Sequence, residues 1–73
     1  MDYEHTCKTA QRIISDYRSS LSLLCFENKN KTHKDLFMAV ESWVRRMDFT
    51  MELSELEHIT LMLIGWCYIE NML

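Results

Sequence analysis

The chain has 73 residues, 48% of them hydrophobic and 26% charged, with one Gly, no Pro and a formal net charge of −3. That length holds one small domain, residues 1–73, and the scarcity of turn formers excludes strands joined by tight turns in favour of helices on short polar links. Two Trp, three Tyr and three Phe supply enough core-forming surface to exclude a disordered segment.

The first predicted element is a helix over about residues 3–26. Tyr3, Cys7, Ala10, Ile14, Tyr17, Leu21 and Leu24 alternate steps of four and three, one stripe of a helix, and Ile13 widens it into a core face. Asp2 suits the N-cap and Glu4 the first turn, where the helix dipole favours an anion. The pattern fades at Phe26, and Glu27 to Lys31 read as a polar link.

The second helix is predicted over residues 33–47. Thr32 to Asp35 has the form of a capping box, with Asp in place of Glu. Leu36, Val40, Trp43, Val44 and Met47 repeat at helical spacing beside Phe37, and Arg45 and Arg46 fall in the last turn, where cations suit the dipole. A connector over residues 49–53 follows.

Ser54-Glu55-Leu56-Glu57 is an S-x-x-E capping box and sets the start of a third helix over residues 55–72. Its body has almost no polar face. Ile59, Met62, Leu63, Trp66 and Ile69 point one way, and Leu61, Ile64, Tyr68 and Met72 point the opposite way. Two amphipathic helices cover about two-thirds of it; burial within one monomer, with a few side chains left partly exposed, is the alternative to a shared interface. Leaving Leu61, Ile64 and Tyr68 in water forgoes roughly 1.5–3 kcal/mol each, a total comparable with the stability of a whole small domain. The expectation is therefore an all-α three-helix domain completed by homodimerisation through Leu61, Ile64, Gly65, Tyr68 and Met72, with Gly65 letting a second backbone approach. A membrane span is not expected: the apolar run is too short and lacks flanking Lys or Arg.

Small chains bury only roughly 60% of the surface that unfolding exposes, so they lean on a staple, a metal or a second subunit. Cys7, Cys25 and Cys67 are odd in number and lack CxxC spacing, which points to free thiols and a reducing compartment. The acidic start, without a basic and then apolar leader, agrees with a cytoplasmic protein.

Charge is segregated along the chain. Residues 1–27 carry four acids and three bases, residues 28–46 five bases and two acids, and residues 47–73 five acids and no Lys or Arg. Lys29, Lys31 and Lys34 form a candidate anion-binding patch near a helix N-terminus. Together with Arg45 and Arg46 they support an alternative reading as a nucleic-acid-associated regulator, with weak and salt-sensitive binding. A helix-turn-helix is disfavoured because Glu55 and Glu57 would meet phosphates.

No nucleophile elbow, phosphate-cradling glycine loop or paired metal-ligand spacing occurs. His5 and Cys7 make only one weak pair. The expectation is a non-enzymatic interaction module without cofactor, metal or small-molecule substrate, regulating or inhibiting a larger protein by occupying its surface. Trp43 and Trp66 are its candidate anchors.

Overall fold

The structure, a computed structural model, describes residues 2–70. These residues form four helices: α1 (Tyr3–Asp16), α2 (Arg18–Glu27), α3 (His33–Met47) and α4 (Leu53–Ile69). The expected all-helical class holds, with four helices in place of three.

The extra division falls inside the first predicted helix. Tyr17 leaves helical geometry at φ −126° and ψ 28°, yet its N–H still donates to the Ile13 carbonyl at 2.9 Å and its carbonyl accepts from Leu21 at 2.9 Å. Neither Pro nor Gly is present to break the chain there. The cause lies in packing. α1 buries Thr6, Ala10 and Ile13, whereas α2 buries Leu21 and Cys25, with Asn28 buried at its C-cap. In an unbroken helix these two trios would face directions about 60° apart, at 100° per residue. The bend turns both inward.

Capping agrees with the sequence at two helices and departs from it at a third. The Asp2 carboxylate accepts from the N–H groups of Glu4 and His5 at 3.1 and 3.3 Å, and the Thr32 hydroxyl accepts from Asp35 N–H at 3.2 Å. α4 instead begins at Leu53, with the Glu52 carbonyl accepting from Leu56 N–H at 2.9 Å. Ser54 is thus already helical and cannot cap. Its carbonyl accepts from His58 Nδ1 at 2.7 Å, which fixes the proton on that nitrogen.

The connector from α3 to α4 is held by its own polar groups. The Asp48 carboxylate accepts from the N–H and hydroxyl of Thr50 at 3.0 and 2.6 Å, and the Arg45 guanidinium donates to the carbonyls of Phe49 and Met51, each at 3.3 Å.

α4 is the central helix and packs against the other three. Leu56, Ile59, Thr60, Leu63, Ile64 and Cys67 are buried on it, an arc of about 140°. Ala10 and Ile13 from α1, Leu21 and Cys25 from α2, and Leu36, Val40 and Val44 from α3 complete the core. The buried polar side chains close on nearby carbonyls: Thr6 on Asp2 at 3.0 Å, Asn28 on Leu24 at 2.8 Å and Thr60 on Leu56 at 2.7 Å. That satisfies hydroxyl and amide groups whose burial would otherwise destabilise the fold.

A staple is present within the chain. Cys25 and Cys67 form a disulfide joining α2 to α4, and both are fully buried. The odd count comes from Cys7, which stays free and partly exposed. An odd count therefore does not mean three free thiols here. No helix among the described residues is long and apolar enough to cross a membrane.

Candidate functional site

The predicted contact face of the last helix divides in two. Ile64 is only 3% exposed and belongs to the core, which corrects its expected place on an outer surface. The reason is the arc just described: Ile64 lies within it, one turn beyond Thr60. Leu61 and Tyr68 remain 53% and 52% exposed, and Ile69, expected on the side of Ile59 and Leu63, is instead 82% exposed. Met72 lies outside the described residues.

Gly65 stands between Leu61 and Tyr68 on the same outward side of α4, since steps of four and three return to one helical face. A side chain built at Gly65 would meet nothing within 4 Å. Among the described residues none stands close enough to require a glycine there. The strip Leu61–Gly65–Tyr68, flanked by Ile69, is therefore apolar, outward and notched at its middle. It sits on the most constrained helix, whose opposite face is core.

Both tryptophans are engaged within the chain, by adjacent residues at the bend. The Trp43 ring lies edge to face with Tyr17, centroids 6.2 Å apart and planes at 89°. The Arg18 guanidinium stands 5.7 Å from the Trp66 ring centroid, and the same side chain reaches Glu70 at 3.8 Å. Tyr17 thus braces α3 while Arg18 braces α4. Trp43 and Trp66 are only partly buried, so each keeps an open edge. Sequence reasoning counted Tyr17 as core and gave Arg18 no part; a basic residue beside an aromatic carries no periodic signal.

The basic residues do not gather into one patch. Lys29 and Lys31 lie in the α2–α3 link and Lys34 in the first turn of α3, all exposed, whereas Arg45 and Arg46 occupy its last turn. Eleven residues of helix place Lys34 and Arg45 about 16 Å apart along the axis. Lys29 stands 4.6 Å from the ring centroid of Phe26, which is exposed together with Leu23 on α2. Neither Leu23 nor Phe26 falls on the predicted stripe, and that was the signal for their exposure.

Between α1 and α3 runs a groove of about 550 Å³, floored by Ile13 and Val44 and rimmed by Arg12, Asp16, Asp48 and Glu55. His5 Nε2 stands 3.6 Å from Glu55 on its edge. The hydrogen bonds from Thr50 hold the Asp48 carboxyl below the usual carboxylate range, with Arg12 and Arg45 assisting. Arg12 and Asp16 come from α1, Asp48 from the α3–α4 connector and Glu55 from α4. Among the described residues no group of three or more His, Cys, Asp or Glu side chains is placed to hold a metal ion. Comparison with protein-family models, with curated proteins and with solved structures finds no match to this chain.

Proposed function

We propose that this chain is a non-catalytic helical interaction module, which regulates or inhibits by laying the outward strip of α4 against another protein chain. One observation carries the reading: Leu61, Tyr68 and Ile69 keep an apolar strip in water on the helix that organises the core. Covering what remains exposed of these three side chains is worth about 4 kcal/mol in all. The open space at Gly65 admits a second backbone. A two-fold homodimer is the simplest form of such a contact, because one surface then serves both sides.

The nucleic-acid reading has weaker support. Its five cations are split between the two ends of α3, and Arg45 already donates to two backbone carbonyls.

A photoreactive amino acid at Leu61 tests the interaction reading in cells expressing the chain. Cross-linking to protein at that site, and none from the exposed Ser42 of α3, is expected. Equal labelling from both positions, or none from Leu61, sinks it.

A further inference from the structure

Resting on that reading, we infer that the occupant of the strip is a second copy of this chain, packed antiparallel about a two-fold axis that passes beside Gly65. Two independent features lead there.

The first is the internal symmetry of the strip. Leu61 precedes Gly65 by four residues and Tyr68 follows it by three. A two-fold axis perpendicular to α4 at this point exchanges the two ends, so each Leu61 packs on the partner's Tyr68. The two Gly65 residues then face each other where the helices come closest, and neither has a Cβ to hold them apart. Such a contact is isologous and closes on itself.

The second is charge. The N-terminal half of α4 carries Glu52, Glu55 and Glu57, and α4 has no Lys or Arg anywhere. The disulfide between Cys25 and Cys67 fixes the end of α2 against the C-terminal part of α4. The link that follows α2 directly, with Lys29 and Lys31, and then Lys34, is thereby held at that same end. The N-terminal end of α4 is net acidic, with Asp48, Glu52, Glu55 and Glu57 against Arg45 and Arg46 at the end of α3, whereas the other end sets Lys29, Lys31, Lys34 and Arg18 against Glu27, Asp35 and Glu70. A parallel pair would set acids against acids and lysines against lysines. The antiparallel pair brings the acidic end of each copy towards the basic link of the other, which guides association and selects the register.

The experiment uses the full chain with Cys7→Ser, the native disulfide intact, and single Leu61→Cys or Tyr68→Cys substitutions at these half-exposed sites. Each variant alone and their equimolar mixture are treated with a short bis-maleimide. The expected result is cross-linked dimer in the mixture, joining one chain of each kind, and little from either variant alone. Strong self-cross-linking of Leu61→Cys alone would establish a parallel pair and overturn the proposal. Light scattering on the unmodified chain supplies the second readout: a dimer that weakens as salt rises is expected, because part of the register is electrostatic. A monomer at all concentrations overturns the second copy as occupant. It leaves contact with a different protein intact, since that reading fails only if Leu61 captures no protein or labels no better than Ser42.

Discussion

Cys25 in α2 and Cys67 in α4, 42 residues apart in sequence, are bonded in the interior with no solvent contact at either residue. The bond closes a loop that contains the α2–α3 link, all of α3 and most of α4. It thereby locks the helix that follows the bend onto the end of the central helix. For a domain of this size such a closure is a large share of total stability.

Opening that bond has a size that can be checked. Chain-entropy reasoning for a loop of this length gives a stabilisation of about 4 kcal/mol. Double substitution of Cys25 and Cys67 by Ser is expected to lower the melting temperature by roughly 20 °C. Thermal unfolding followed by circular dichroism, with the wild type under oxidising conditions as reference, measures it. An unchanged melting point would show that the bond contributes nothing to the folded state.

The bend has its own prediction. Tyr17 and Arg18 are both exposed, yet each touches a tryptophan on a different helix. The edge-to-face pair of Tyr17 and Trp43 is worth about 1 kcal/mol beyond its buried area. A double-mutant cycle with Tyr17→Leu and Trp43→Leu is expected to return a coupling of that order in urea unfolding. Additive effects would mean the two rings do not brace α3.

Much of the architecture was legible in sequence, because periodicity and caps are local. Thr32 marks the start of α3, and the spacing of Leu36, Val40 and Val44 defines its inner face. The bend at Tyr17 was not legible: its cause is the different orientation of two buried trios, a property of what they pack against. Ser54 misled for a related reason. Its motif is correct chemistry for a cap, but the helix begins two residues earlier, at Leu53, and places Glu52 at the boundary. The Cys25–Cys67 pairing was hidden because an odd count says nothing about which two thiols meet. On α4, the sequence shows apolar residues all round, while the paths of the three helices packed against it decide that Ile64 is covered and Leu61 is not.

The turn that closes α3 responds to acid. Hydrogen bonds from Thr50 to ionised Asp48 depress the carboxyl's pKa, so the folded state favours the charged form. A depressed carboxylate adds stability above its unfolded pKa and loses it as pH falls through the folded pKa. Thr50→Val removes the hydroxyl donor and is expected to move the Asp48 titration upward, towards the ordinary carboxylate range. Side-chain carboxyl NMR shifts followed between neutral and strongly acidic pH measure this directly. A titration unmoved by the substitution would assign the shift to the retained N–H of residue 50, with Arg12 and Arg45, and not to the hydroxyl.

Gly65 separates the needs of the single chain from those of an assembly. Within one chain a Cβ at this position meets nothing, and Ala is favoured over Gly in a helix interior by about 1 kcal/mol. Gly65→Ala is therefore expected to raise unfolding stability at low protein concentration, where association does not contribute. At high concentration the same methyl groups stand where two helices approach most closely, and association is expected to weaken. A glycine kept for that contact gives opposite signs in the two measurements. A glycine without such a role gives the stabilisation alone.

The strongest contrast on α4 is between neighbouring turns. Ile64 is sealed in the core and Leu61 is half in water, although the two are three residues apart. A carboxylate at residue 64 would be buried without a partner, a penalty of several kcal/mol that a domain this small cannot absorb. Ile64→Glu is expected to unfold the chain, losing its helical circular dichroism. Leu61→Glu places its charge in solvent, so the monomer is expected to keep its helix content with a stability change within about 1 kcal/mol. Any loss of association in Leu61→Glu then reports on the outer surface and not on the fold. If Leu61→Glu unfolds as readily as Ile64→Glu, Leu61 is core, and the outward strip does not exist.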